Sequence, residues 1–138
     1  MNFKKLNNIT GWAVFLVAAF TYLSTIEPTA SFWDCGEFIA TAFKLEVGHP
    51  PGAPLFMLLA RTVSAFASIP HVPVAVNCLS AIASAFTILF LFWSITHMAL
   101  RLATRTGDEE LTSDKVIAIL GSGLVGALAY TWSDSFWF

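Results

Sequence analysis

Val74–Leu100 reads VAVNCLSAIASAFTILFLFWSITHMAL, a stretch without Asp, Glu, Lys or Arg whose single histidine, His97, lies near its end. An α-helix needs about 20 mostly apolar residues to cross the hydrocarbon core of a bilayer. This stretch meets both the length and the polarity that a membrane span requires. It therefore predicts a transmembrane helix around which the rest of the chain is arranged.

Two further apolar stretches flank this span, at about residues 10–26 and 116–131. Gly121, Gly123 and Gly126 lie on the last one and would let another helix approach closely. The composition agrees, because 12% of the residues are charged and a soluble domain carries about 25%. We predict an all-α, polytopic helical membrane protein with three transmembrane helices and interfacial helices in the first outer loop.

The positions of Lys and Arg predict the orientation. Five of these seven residues precede the first span or lie in the link 101–115, and two lie in the loop 27–73. Basic residues are enriched on the cytoplasmic side of a membrane. We therefore expect a cytoplasmic N-terminus and link, and a periplasmic or luminal loop 27–73, in a bacterial inner membrane or its equivalent.

The segment 54–69 is apolar enough to suggest a fourth span. Arg61 lies at its middle, and a central Arg costs a few kcal/mol in a membrane-spanning helix. A fourth span would also move the basic link 101–115 to the outer side. We prefer a helix that lies on the outer membrane surface, although the sequence does not decide between the two.

The loop between the first two spans carries a polar stripe. A helix is predicted over residues 32–47, with Gly48 as its C-terminal stop. Asp34, Glu37, Thr41 and Lys44 are spaced so that they share one face of this helix. Two carboxylates held at a membrane surface in this way suit general acid–base chemistry.

Each of these residues also has a simpler interpretation. Ser31 and Asp34 have the spacing of a capping box, in which Asp34 would only satisfy backbone donors. Glu37 and Lys44 could form a solvated pair, which contributes under about 1 kcal/mol. His49 stands before two prolines and could serve the turn alone. The spacing of the residues leaves these alternatives open.

A resemblance to a known family goes further. The stretch 32–37, FWDCGE, is followed by GHPPGAPLF at residues 48–56. Together they resemble the opening of a family of multispanning membrane proteins long labelled a domain of unknown function. The family includes an animal transmembrane O-mannosyltransferase of plexin-type receptors, and it looks like a branch of the C-type glycosyltransferases.

That resemblance implies transfer of a sugar, with mannose as a candidate, from a polyprenyl-phosphate donor to Ser or Thr hydroxyls of exported proteins. Asp34 would be the general base, and Glu37 would bind hydroxyls or position Asp34. His49 with the Pro50-Pro51-Gly52 turn would hold the loop over the donor. The cation for the leaving phosphate would be either of two basic residues, Lys44 or Arg61.

The resemblance also implies partners, which are membrane lipid, the lipid-linked donor, an acceptor protein and the remaining helices of a longer chain. A basic patch for nucleic acid is lacking. No cofactor is certain, no metal ligand is assigned, and the need for a divalent metal stays open. The aromatic end at residues 135–138 suggests an N-terminal fragment that is inactive alone. A transporter or flippase and a non-catalytic scaffold are the alternative functions.

Overall fold

A computed structural model of the chain describes residues 2–31, 33–104 and 111–133. The helices are α1 (Phe3–Ser24), α2 (Cys35–Lys44), α3 (Pro54–Ser64), α4 (Val72–Ala103) and α5 (Ser113–Thr131), and a short 3₁₀ turn (Ile69–His71) precedes α4. The described residues contain no strand. The predicted all-α class is confirmed.

Among the described residues, three helical segments are long and apolar enough to cross a membrane: Phe3–Ser24, Ile69–Ala103 and Ser113–Thr131. They correspond to the three predicted spans, so the predicted number of membrane-length helices is confirmed. Residues 105–110 of the link 101–115 and the aromatic end at residues 135–138 lie outside the described residues, and their predicted roles stay predictions.

The first helix starts earlier than the predicted residue 10. The side chain of Asn2 accepts a hydrogen bond from the backbone N–H of Lys5 at 3.2 Å, and its carbonyl accepts one from Leu6 at 3.1 Å. Asn is a favoured residue at a helix start because its side chain satisfies a free backbone donor there. The polar residues that hydropathy placed before the span therefore belong to its helix.

The loop helices are shorter than the predicted 32–47 and 54–69. Trp33 has φ +63° and Leu45 has φ +58°, so neither continues α2. The helix ends at Leu45, three residues before Gly48, the predicted stop. The predicted second loop helix ends at Ser64, and Pro70 in the 3₁₀ turn Ile69–His71 disfavours a helical conformation at Ile69, where the predicted helix was to end. Eleven residues of α3 extend roughly 16 Å, about half of a 30 Å hydrocarbon core, which speaks against a fourth span.

The chain divides into two compact units. The first combines Met1–Tyr22 with Ser84–Phe138 and contains the packed parts of the three membrane-length helices. Gly123 of α5 faces Thr96 and Phe92 of α4, where an added Cβ would lie 2.5 Å and 2.8 Å from their side-chain atoms. Close approach at a glycine is therefore confirmed for Gly123.

The other two predicted contact glycines differ from each other. A Cβ on Gly126 would lie 2.6 Å from Ile95, whereas a Cβ on Gly121 would meet nothing within 4 Å. Close helix approach is thus confirmed for Gly126, whereas no described helix lies against Gly121, for which it stays a prediction. The reason is that residue 121 faces away from α4, two positions before Gly123 on the same helix.

The second unit, Leu23–Ala83, contains α2, α3 and the start of α4. Its apolar core is formed by buried residues of all three helices: Ile39, Ala42, Met57, Ala60, Val72 and Val76. Each helix contributes one apolar face to this core. Because α2 buries one face, the opposite face is left for the polar stripe that carries Asp34 and Glu37.

Candidate functional site

Asp34 lies at the point where the chain enters α2. It occupies the N-cap position, yet its side chain makes no capping hydrogen bond. The helix begins one residue later, at Cys35, so the capping box predicted from Ser31 and Asp34 does not form. The Asp34 side chain is 62% exposed, which leaves its carboxylate available for chemistry.

Glu37, in the first turn of α2, accepts two hydrogen bonds from one residue. The backbone N–H of His49 donates to Oε1 at 2.8 Å, and the His49 ring nitrogen Nδ1 lies 3.0 Å from Oε2. The backbone donor of His49, followed by its ring, lowers the pKa of Glu37. The side chain of Glu37 is therefore occupied in holding His49, and the simple pairing of Glu37 with Lys44 is wrong.

His49 reaches Glu37 because the chain reverses after α2. Leu45 takes the left-handed conformation, and the backbone N–H groups of Leu45 and Glu46 donate to the carbonyls of Ala42 and Thr41. Gly48 then passes close to the helix, where an added Cβ would lie 3.2 Å from Glu37 Oε1. The reversal lays the residues after α2 against the polar stripe.

The predicted Pro50-Pro51-Gly52 turn follows directly. The backbone N–H of Gly52 donates to the carbonyl of His49 at 2.9 Å, and Gly52 has φ +82°. A residue with a side chain is strained at this φ, whereas glycine adopts it readily. The bond between Pro50 and Pro51 is cis. The turn thus closes on His49 and leads the chain into α3.

Asp34, Glu37 and His49 form one cluster. His49 Nε2 lies 3.7 Å from Asp34 Oδ2, on the side of the ring opposite to Glu37. Hydrogen bonding to Glu37, helped by the nearby charges of Glu37 and Asp34, raises the pKa of His49. Within the described part of the chain, these are the acidic residues that contact the ring, and they favour its charged form.

The cluster has the composition of a possible cation site, since one ligand atom from each of the three residues lies within 4.8 Å of the others. All three residues are exposed, and exposed acidic groups often lie this close without an ion. The hydrogen bonds between Glu37 and His49 already explain how these two side chains are placed.

Lys44 and Arg61 do not join this cluster. Lys44 Nζ lies 4.0 Å from Glu46 at the other end of α2. The guanidinium of Arg61 lies over the Phe43 ring, 5.6 Å from its centroid, and donates to the Phe43 carbonyl. Both predicted phosphate-binding residues are thus at the C-terminal end of α2, away from the acids.

One residue of this region was missed in the sequence. The side-chain amide of Asn77, near the start of α4, donates to the backbone carbonyls of Glu27 and Thr29 at 2.9 Å and 3.0 Å. It ties the segment before Asp34 to a membrane-length helix. The sequence feature that points to Asn77 is its polar amide inside an apolar span, because polar residues in spans commonly have a specific partner.

Comparison with known proteins shows which family this site belongs to. Residues 34–138 match the family model described as the N-terminal domain of protein O-mannosyl-transferase TMEM260. The chain belongs to this family. The match includes Asp34, Glu37 and His49, so the whole cluster lies inside the matched residues, and the resemblance that the loop residues suggested is confirmed.

The mouse protein O-mannosyl-transferase TMEM260 is 33% identical to the chain over 87 residues. The aligned part covers 63% of this chain and 12% of the mouse protein, so the chain spans a small part of that relative's length. No solved structure gives a significant match. The relationship to TMEM260, together with three membrane-length helices, identifies an integral membrane protein.

Proposed function

We propose that this chain is part of a membrane glycosyltransferase that moves a sugar from a polyprenyl-phosphate donor to Ser or Thr hydroxyls of exported proteins. The observation that carries the proposal is the cluster of Asp34, Glu37 and His49 within the matched family domain. The mouse relative is named an O-mannosyl-transferase, which makes mannose the candidate sugar.

Asp34 is the general base in this proposal. Its carboxylate is exposed and is not used as a helix cap, so it is free to accept the proton of an acceptor hydroxyl. The hydroxyl oxygen then attacks the anomeric carbon of the sugar, and the carrier phosphate leaves. A positioned carboxylate base contributes about a hundredfold or more to such a step.

The surface of the second compact unit (Leu23–Ala83, the loop unit) supports a location on the outer leaflet. Trp33, beside Asp34, is 96% exposed, and α3 exposes Leu55, Leu58 and Leu59 on one side. Trp is enriched at membrane–water interfaces, and a helix with an exposed apolar face can lie in the interface plane. Such a placement would bring the carboxylates to the level of a lipid-linked phosphate.

The position of the acid cluster favours surface chemistry over transport. A transporter binds its substrate near the bilayer midplane, between membrane-spanning helices. Here the acid cluster is in the connection between α1 and α4, and the exposed Asp34 carboxylate faces solvent. This arrangement fits a reaction on a lipid headgroup.

A transfer assay with the full-length gene product tests the proposal. Purified protein in detergent receives polyprenyl-phosphate-linked radiolabelled mannose and an exported-protein fraction of the source cells as acceptor. Asp34→Asn should lower kcat by about a hundredfold or more, the contribution expected of a general base. Glu46→Gln is the matched control, because Glu46 is an acid of the same loop that contacts Lys44 instead of the cluster.

Two results would contradict the proposal. One is a wild-type rate of mannose transfer by folded Asp34→Asn protein, which would remove Asp34 from the reaction. The other is failure of wild-type protein to transfer any sugar from the lipid-linked donor to protein. Retained elution volume and thermal unfolding temperature establish that each variant is folded.

A further inference from the structure

The departing phosphate in the proposed reaction requires a positive partner. Neither Lys44 nor Arg61 is near the acids. Lys44 is the last residue of α2 and follows Asp34 by ten positions, a distance of about 15 Å along a helix. Arg61 is held against Phe43 by its hydrogen bond and its ring contact. A different group must meet a phosphate whose sugar lies beside Asp34.

The imidazole of His49 is the basic group that the structure places there. Its Nδ1 is bonded to Glu37, and its Nε2 lies 3.7 Å from Asp34 Oδ2, too far for a hydrogen bond. Phe38 packs edge-on against the ring with centroids 6.1 Å apart. The side chain is still 46% exposed, so Nε2 has room for a ligand.

We infer that His49, through Nε2, binds the phosphate of the lipid-linked donor, and that Glu37 is the positioning residue that holds the ring for this contact. The inference rests on the proposed function for the identity of the donor. It changes the role predicted for Glu37, which here acts on His49 and not on Asp34 or the sugar. It also moves the phosphate contact from Lys44 or Arg61 to His49.

The geometry of Glu37 explains why the ring is suited to this contact. One carboxylate oxygen fixes the backbone of His49 and the other fixes Nδ1, so both the position and the rotation of the ring are set. A carboxylate at Nδ1 favours a proton on that nitrogen and favours the charged ring, in line with the raised pKa of His49. Nε2 then carries the N–H that a phosphate oxygen accepts.

The bond changes balance with these roles. The acceptor oxygen forms a bond to the anomeric carbon while its proton passes to the Asp34 carboxylate. The bond between that carbon and the phosphate oxygen breaks, and its electron pair stays on the phosphate. The N–H of His49 stabilises the additional negative charge on this oxygen, and the lipid phosphate departs with the electron pair.

Binding of farnesyl phosphate, a short polyprenyl phosphate, tests the inference without requiring sugar transfer. The full-length protein in detergent is titrated with farnesyl phosphate, with farnesol and with inorganic phosphate. His49→Gln should weaken farnesyl phosphate binding about ten- to a hundredfold, the loss expected for one hydrogen bond to a charged group. Farnesol binding should stay unchanged, which also shows that the variant is folded.

Glu37→Gln separates positioning from direct contact. Glu37→Gln should weaken farnesyl phosphate binding less than His49→Gln does. Its loss of affinity should grow as the pH rises, because without the carboxylate the His49 ring loses its charge at a lower pH. Glu46→Gln, which alters an acid of the same loop outside the cluster, should bind as wild type does. Equal loss at every pH in Glu37→Gln would contradict its positioning role.

The remaining outcomes are also decisive. Unchanged farnesyl phosphate binding by His49→Gln would overturn the phosphate contact. Inorganic phosphate that competes as well as farnesyl phosphate would indicate a free-phosphate site and overturn the assignment to a lipid carrier. If the wild-type protein binds farnesyl phosphate through His49 but transfers no sugar, the proposed function fails and the phosphate site remains.

Discussion

The side-chain amide of Asn77 donates a hydrogen bond to the backbone carbonyl of Glu27 at 2.9 Å, across 50 positions of sequence. The same amide donates to Thr29, and the thiol of Cys35 lies 3.7 Å from the Asn77 side-chain oxygen. One residue of α4 thus holds the chain on both sides of Asp34. The loop segment that carries Asp34 is therefore anchored to α4, a membrane-length helix.

Replacing Asn77 by Leu should loosen this segment. The change removes the two hydrogen bonds that the amide donates, which together contribute about 1–3 kcal/mol, with the lower value expected because the two carbonyls are exposed. It also removes the acceptor of the Cys35 thiol. The measurement is thermal unfolding in detergent, with sugar transfer as a second readout. Ser80→Ala is the control, since its hydroxyl donates within α4, to the Val76 carbonyl. Equal unfolding temperatures for both variants would show that Asn77 does not hold the loop.

Two glycines of α5 give a matched test of helix packing. Gly123→Ala places a methyl group 2.5 Å from Thr96 and 2.8 Å from Phe92, and overpacking of this kind costs about 1–3 kcal/mol. Gly121→Ala meets nothing within 4 Å and should gain up to about 1 kcal/mol from helix propensity. Thermal unfolding in detergent should therefore shift down for the first variant and not for the second. The opposite order would mean that α4 and α5 pack differently.

The membrane-length helices could be predicted from the sequence because length and apolar content alone decide them. The start of α1 could not, since Lys4 and Lys5 look like a flank and it is Asn2 that caps the helix. The polar stripe of α2 was also predictable, because helical spacing alone puts Asp34 and Glu37 on one face.

The contact between Glu37 and His49 was not predictable in the same way. It depends on Leu45 taking a left-handed conformation, which a leucine adopts only when surrounding contacts favour it. Gly48 was expected to end α2 and instead lies against Glu37. Sequence spacing shows which residues share a helix face, but a chain reversal decides what covers that face.

The pair formed by Glu37 and His49 should make the stability of the turn at residues 48–52 depend on pH. The pKa of His49 is raised from 6.5, so its contribution is complete below pH 6.5 and is lost as the pH rises through the higher folded value. The pKa of Glu37 is lowered from 4.5, so its contribution is complete above pH 4.5 and is lost as the pH falls through the lower folded value. The turn should be most stable between these limits.

An NMR titration of His49 with ring-labelled histidine measures this directly. The midpoint should lie above 6.5 in the wild-type protein and should move down in Glu37→Gln, since the carboxylate is the largest cause of the shift. Hydrogen exchange of the backbone amide of His49, corrected for intrinsic rates, should speed up in the same variant. An unchanged midpoint in Glu37→Gln would show that the pair does not form in solution.

Sugar transfer from a lipid carrier to exported proteins requires the acid cluster to lie on the outer side of the membrane, and thiol labelling measures this side most directly. In full-length protein whose native cysteines, Cys35 and Cys78 among them, are all replaced by Ala, Val47→Cys presents a thiol two positions from His49, at a residue that is 92% exposed. Thr104→Cys, beyond the end of α4, reports the opposite side. In intact cells a membrane-impermeant maleimide should label Val47→Cys and should label Thr104→Cys only after permeabilisation. Labelling of Thr104→Cys in intact cells, with Val47→Cys protected until permeabilisation, would contradict the proposed site.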